Sequence, residues 1–271
     1  MRLISSPARL PQAITYLRPS IHPSYTPTLA VMHLRPNPPI TRSHPLPLTG
    51  QHHRTTVPQG PQLEVSLAEP SDSAALTEVF LRAFSDDFNL RLFPCTPDVR
   101  SWWVEHFRRD IELARSQHPS CAVLKVVGEG GVIAGFAKWQ LPFVSASSAT
   151  NGEEAKVHWP ASSDSELCDR FFGDIHAERQ KKMGGQPHYY LDMLGTSPDF
   201  NGRGIGSALL RWGLERADEA GVDTFLASTP QGRPLYEKYG FGVVREWEVI
   251  PGYRQAAMAR CVEKQPNDRR R

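Results

Sequence analysis

Two kinds of residue in the stretch Tyr189 to Gly206, YYLDMLGTSPDFNGRGIG, could do chemistry. At its end, Asn201, Gly202, Arg203, Gly204, Ile205 and Gly206 place three glycines and an arginine where a helix should start. Glycines let a backbone approach a ligand closely, and the amides at a helix start point outward as unsatisfied donors, so the segment suits the capture of a phosphorylated group. Ahead of it stands Asp192, a carboxylate inside an otherwise apolar strand. Period-two alternation puts His188, Tyr190, Asp192, Leu194 and Thr196 on one face and Tyr189, Leu191, Met193 and Gly195 on the other. Central parallel strands are normally apolar on both faces, so Asp192 either lines a cavity or sits near a sheet edge. It is read as a base or water relay, with a bond to a neighbouring backbone or arginine as the alternative. His188 reads as an exposed histidine at the strand start.

Elements on both sides must position these groups. Leu63 to Leu67 alternates as a half-buried strand, and Pro70-Ser71-Asp72 supplies helix-start chemistry before Ala75, Val79, Phe80 and Ala83 recur at helical spacing. Ser85 to Asn89 reads as a loop, and a second helix is expected from about Asp98 to Ser116. Cys121 to Val127 and Val132 to Leu141 are β-rich runs separated by Gly128-Glu129-Gly130-Gly131, the signature of an antiparallel hairpin. The segment 145–186 is read as an insertion carrying an amphipathic helix within Ser163 to Met183. A strand over His188 to Thr196, a helix from about Gly204 to Ala220, a short strand Val222 to Ala227, a short helix Pro234 to Tyr239 and strands at Phe241 to Val249 and Ala256 to Cys261 complete the order.

Composition bounds what such a chain can be. The 271 residues allow one domain of ordinary size with a proper core. Residues 1–63 hold six Arg and no Lys, Asp or Glu, so the remainder carries 25 basic against 29 acidic residues. That mildly acidic balance gives no footprint for nucleic acid. Residues 1–61 contain twelve of the 24 prolines and are expected to be disordered, with organelle targeting the lesser reading. Residues 62–262 form the expected globular domain, and 263–271 a polar tail. Cys95, Cys121, Cys168 and Cys261 form no CxxC pair, which points to free thiols in a reducing compartment, cytoplasmic or nuclear, and to no metal site. No apolar run reaches the roughly 18 residues of a membrane span.

A dinucleotide fold competes for the glycines. Gly202 and Gly204 could be the first two of GxGxxG, but the third position is Ser207, and the next strand ends in Ala227-Ser228 without the acid that holds a ribose.

Leu194 to Gly206, followed about 30 residues later by Leu235-Tyr236-Glu237-Lys238-Tyr239-Gly240-Phe241, resembles the GNAT superfamily of acyl-CoA-dependent N-acyltransferases. The element order agrees from about Leu63 to Val262. The resemblance implies an α/β fold of the α+β type, with a mixed, splayed central sheet of six to seven strands flanked by helices. It implies acetyl-CoA as co-substrate, held by the phosphate loop Asn201 to Gly206 and Ser207 at the helix start, and by the backbone of Leu194, Gly195 and Thr196, where Gly195 would mark the distortion that opens the splay. Asn201 departs from the Gln or Arg usual in the family, which shifts the anion contact toward Arg203 and the amides. Thr229 stands where many relatives have Asn, so a hydroxyl of Ser228 or Thr229 is expected to contact the pantetheine arm. Tyr236 falls on the family's general-acid position, with a packing aromatic as the alternative. The first two helices and their loop line the acceptor cleft in relatives, which makes Asp86, Asp87 and Phe88 candidates for holding an amine, with solvated loop acids as the alternative, and 145–186 a candidate lid. The implied activity is acetyl transfer to a primary amine of a small molecule or protein by a monomer or homodimer. A non-catalytic acyl-CoA sensor or scaffold is the alternative.

Overall fold

The computed structural model describes residues 63–116, 119–142 and 157–262. The expectations for 1–61 and 263–271, and for the start of the insertion, lie outside the described residues. In chain order the elements are β1 (Val65–Leu67), α1 (Ser73–Ala83), α2 (Asp87–Leu92), α3 (Pro97–Ala114), β2 (Cys121–Val127), β3 (Ile133–Gln140), α4 (Ser165–Met183), β4 (His188–Thr196), α5 (Ile205–Ala220), β5 (Asp223–Ser228), α6 (Arg233–Lys238), β6 (Gly242–Ile250) and β7 (Tyr253–Arg260). Single 3₁₀ turns at Pro70–Asp72, Glu129–Gly131 and Pro198–Phe200 join some of them. The fold is the expected mixed sheet with flanking helices, and its seven strands run in the order β1-β2-β3-β4-β5-β7-β6. Among the described residues only β4 and β5 pair in parallel, and α5 is their crossover helix.

One element differs from the sequence reading. Ser85 to Asn89 is not a loop throughout: Asp86 caps a short helix by accepting the Asn89 backbone N–H at 3.0 Å and its side-chain amide at 2.7 Å. The acidic pair that suggested a solvated loop is helix-start chemistry.

Each face of the sheet carries its own core. Phe80 of α1, Phe107 and Ile111 of α3 and Phe171 and Ile175 of α4 cover one face. Ile205, Leu209, Leu210 and Leu214 of α5, with Tyr236 and Phe241, cover the other. The second interface is tight enough to specify a glycine. A Cβ on Gly213 would lie 2.3 Å from the ring of Trp139, which is fully buried and donates its indole N–H to the Leu209 carbonyl at 3.3 Å.

These contacts give one substitution opposite effects at two helical glycines. Gly213→Ala should destabilise the fold by about 1–3 kcal/mol, because a rigid buried ring must move. Gly173→Ala, where nothing lies within 4 Å, should stabilise it by about 0.5–1 kcal/mol. Urea midpoints of the two variants check this, and shifts of the same sign would contradict the packing argument.

Candidate active site

The site is set by a defect in β4. Its register with β3 runs Ala137 to Leu194 and Lys138 to Met193, then jumps to Trp139 opposite Leu191, which leaves Asp192 without a partner in β3. This is a β-bulge, with one extra residue on one strand, and it reverses the alternation that follows it. Tyr190 and Met193 both pack toward α1, α3 and α4, whereas Leu191 and Leu194 pack toward α5. The single alternation expected over His188 to Thr196 is therefore corrected: Leu194 and Thr196 change faces, and Asp192 and Met193 share one. Gly195 does not mark the distortion. It stays in register with Phe136, and it is a glycine because a Cβ there would lie 2.7 Å from the Phe136 ring and 3.3 Å from Ala83.

At the same point β4 leaves β5. Parallel pairing runs from His188–Asp223 to Leu191–Leu226 and stops, although both strands continue. Beyond the parting, the start of α5, the end of β4 and α6 come together: a Cβ on Gly206 would lie 3.4 Å from Leu235, 3.6 Å from Leu194 and 3.9 Å from the Thr196 hydroxyl. Gly202 and Gly204 have φ of 76° and 79°, left-handed values that favour glycine. Gly204 is the N-cap of α5 and brings no side chain to cap it. Asn201, Gly202, Arg203 and Gly204 are exposed, Ile205 is buried, and Gly206 and Ser207 are half-buried in the first turn. The Arg203 guanidinium lies 3.3 Å from Glu129 and 5.0 Å from the Phe200 ring centroid.

A cavity of about 410 Å³ opens from the parted strands toward α3 and α4. Leu194, Thr229, Leu235 and Tyr236 line it at the α5 and α6 end. Tyr236 is buried, with its ring edge-on to Phe241, and burial pushes its phenol above the usual tyrosine range, so it keeps its proton. Ser228, also buried, donates its hydroxyl to the Thr229 carbonyl at 2.8 Å. The Thr229 hydroxyl accepts the Gly232 amide at 3.1 Å, closing the turn before α6.

Asp192 lies on the cavity wall, and its company was not anticipated. The Lys138 ammonium sits 2.6 Å from Asp110 and 3.2 Å from Asp192, and Gln140 donates to Asp192 at 3.4 Å. Burial works against the Lys138 charge, but Asp192 and Asp110 more than offset it and hold the ammonium above the usual lysine range. From α4, Arg179 donates to Gln140 at 2.6 Å and to His188 Nε2 at 2.8 Å, and its guanidinium stacks 4.1 Å above the Tyr190 ring. His188 is thus corrected from exposed to buried. Its Nε2 accepts from Arg179, which leaves Nδ1 to donate to the Gln186 carbonyl at 2.7 Å.

His106 of α3 completes the polar wall. Its Nε2 is 3.3 Å from Asp110 and its Nδ1 is 3.1 Å from an Arg109 donor, so the neutral ring carries its proton on Nε2. Burial pushes this imidazole down to about 4, against the pull of Asp110. The three residues expected at the acceptor sit elsewhere. Asp86 caps α2, Asp87 is exposed in its first turn, and Phe88 stacks on Tyr253 at 3.9 Å behind the wall. His106, Lys138 and Asp110 went unnoticed in the sequence, although a lysine in the apolar run Ile133 to Trp139 was a visible signal of a buried counter-charge.

Comparison with known proteins identifies the family. Residues 77–241 match the acetyltransferase (GNAT) family, and the chain belongs to that family. Among curated proteins it is 34% identical over 61 residues to the uncharacterized N-acetyltransferase YafP of Escherichia coli K12, a match spanning 22% of this chain and 38% of that protein. It is 24% identical over 199 residues to an acetyltransferase of Stachybotrys chartarum, spanning 71% of this chain and 86% of the relative. Among solved structures it is similar to a protein described as histone acetyltransferase HPA2 and related acetyltransferase from Corynebacterium glutamicum, with 24% identity, a TM-score of 0.48 and coverage of 75% and 98% of the two chains. It is also similar to the PaiA N-acetyltransferase of Thermoplasma acidophilum in complex with coenzyme A, with 15% identity, a TM-score of 0.45 and coverage of 74% and 99%.

The half-buried, neutral His106 makes stability depend on pH. Its folded value lies below the ordinary 6.5, so the unfolded chain binds the proton more tightly, and the stability is present above about pH 6.5 and lost as pH falls toward about 4. His106→Gln should remove a loss on the order of 1–2 kcal/mol between pH 7 and 5. Denaturation midpoints of both proteins across that range measure it, and parallel slopes would contradict the assignment.

Proposed function

We propose that this protein is an N-acetyltransferase that moves the acetyl group of acetyl-CoA directly to a primary amine within a ternary complex. The observation that carries the reading is the parting of β4 from β5 after Leu191, flanked by the uncapped start of α5 on one side and by Tyr236 on the other. Residues 192–196 of β4 run on without β5 beside them, which suits an extended amide-bearing arm laid along the strand. The left-handed Gly202 and Gly204, and a first turn without a side-chain cap, suit an anion at the loop, with Arg203 close by. The residues present therefore fit the co-substrate: Leu194, Gly195 and Thr196 for its arm, Asn201 to Ser207 for its phosphates, and the Ser228–Thr229 turn facing the arm from β5.

When bound, acetyl-CoA supplies a thioester whose carbon–sulfur bond breaks as the carbon–nitrogen bond forms. A lysine-like amine, with a pKa of about 10.4, is overwhelmingly protonated at neutral pH and must lose that proton before attack. Asp192 is the carboxylate on the cavity wall, and Lys138 and Gln140 fix its orientation, so it takes the amine proton directly or through water. The leaving sulfur needs a proton, and Tyr236, kept neutral by burial, supplies it. Starting from the ammonium, two protons leave the nitrogen: the first passes by way of Asp192 to solvent, and the second, lost after attack, balances the one gained by the thiol through Tyr236. Lys138 takes no part as a base, because two carboxylates hold its proton in place.

Two variants test these roles. Tyr236→Phe should lower kcat by about 10²-fold with little change in acetyl-CoA affinity. The assay is release of CoA thiol with an amine acceptor, paired with calorimetry for the affinity, and an unchanged kcat would exclude the acid role. Asp192→Asn should abolish the acidic limb of the pH–rate profile, whereas a retained limb would assign the base elsewhere.

A further inference from the structure

The cavity has two chemically distinct ends, and we infer that the acceptor is an arylalkylamine. This rests on the acetyltransferase reading and names the substrate of that site.

At the end remote from the parted strands, Phe93, Trp102, Trp159 and Phe172 form the wall. Their rings touch in sequence: Phe93 stacks on Trp102 with centroids 6.0 Å apart, Trp102 lies 5.7 Å from Trp159, and Trp159 stacks on Phe172 at 5.3 Å. Both indoles are pinned by their edges, Trp102 donating to the His158 carbonyl at 2.9 Å and Trp159 to Asp169 at 2.6 Å. Pinned aromatic rings offer carbon surface to a ligand without losing conformational freedom when it binds. Phe172 is 37% exposed and both tryptophans are half-buried, so this wall keeps apolar area that a flat ring would cover.

The charges limit the alternatives. Asp192 is the single carboxylate among the described lining residues, and Lys138 stands beside it. That suits one amino group, whereas a polyamine would bring several cations to a wall offering one acid. A peptide would bring backbone amides against aromatic rings that carry no partners for them.

Calorimetry on the full chain with saturating CoA, using tyramine, hexylamine, spermidine and a short peptide with a free N-terminus, tests the inference independently of turnover. Tyramine should bind at least tenfold more tightly than hexylamine, and Trp159→Ala should remove most of that preference while leaving CoA affinity unchanged. Equal binding of tyramine and hexylamine, or a preference for spermidine or the peptide, would overturn it. The two readings then separate. Tyramine binding that depends on Trp159, without thiol release from acetyl-CoA, keeps the ligand class and removes acetyl transfer. Turnover confined to the other amines keeps acetyl transfer and removes the arylalkylamine.

Discussion

An extra residue in β4, inserted against the antiparallel β3 where the parallel pairing with β5 ends, is the constraint from which most of this molecule's site follows. Asp192 is the extra residue in β4, opposite no residue of β3, and the pairing with β5 ends one position before it. A bulge strengthens local twist and re-aims the side chains beyond it. Here it sends Leu194 and Thr196 to the α5 face, where they meet the first turn of that helix and Leu235, and it leaves Asp192 and Met193 on the face of α3 and α4. An unbulged β4 would keep Asp192 on its present face but would return Leu194 to that face and separate it from Gly206. The parting of the strands, the direction of the carboxylate and the closing of the loop against α6 are thus one structural event.

Placing a carboxylate at the centre of a sheet has a cost that the surrounding charges must offset. Lys138 does this by bridging Asp192 and Asp110, so an ammonium on β3 joins β4 to α3. Buried ion pairs of this kind seldom add much net stability over apolar packing, but removing one partner strands the other. Their contribution here is positional: Gln140 and Arg179 extend the same network to α4 and to His188, tying the cavity wall to the beginning of the strand that forms it. The neutral His106 fits the same logic, since its protonation would add a cation beside Lys138 and Arg109 where burial already opposes charge.

The elements were legible in the sequence because their signals are local. His188 to Thr196 alternates and is flanked by turn residues, and the strand occupies those limits; Gly221 ends α5 where its left-handed φ of 65° was needed. The loop before α5 was legible for the same reason, as a short run of glycines before an apolar helix. What period-two reasoning could not contain was an extra residue, because a bulge is defined by the partner strand. The polar network was hidden by distance along the chain: His106 and Asp110, Lys138, Arg179 and Asp192 come from four elements that meet only once the β2-β3-β4 order is known. Asp86 and Asp87 misled in the opposite direction. Their chemistry was local, a helix cap, and the acceptor role assigned to them needed a geometry that the α2 turn does not provide.

The two faces of β4 divide the work in a way that separates what must stay fixed from what can differ. On the α5 side the constraints are steric and backbone-level: a Cβ at Gly213 has no room against Trp139, and Gly202 and Gly204 hold left-handed φ values that side chains rarely adopt. On the α3 and α4 side the wall is made of side chains, Trp102, Trp159 and Phe172, anchored by single hydrogen bonds or ring contacts to residues outside the strands. Replacing one of those rings alters the shape presented to an acceptor while β4, its bulge and the Lys138 bridge keep their register. On the proposed reading, selection of the amine and handling of the thioester can therefore vary independently, because Asp192, which meets the amine, is held by Lys138 and Gln140 of β3 and not by the aromatic wall.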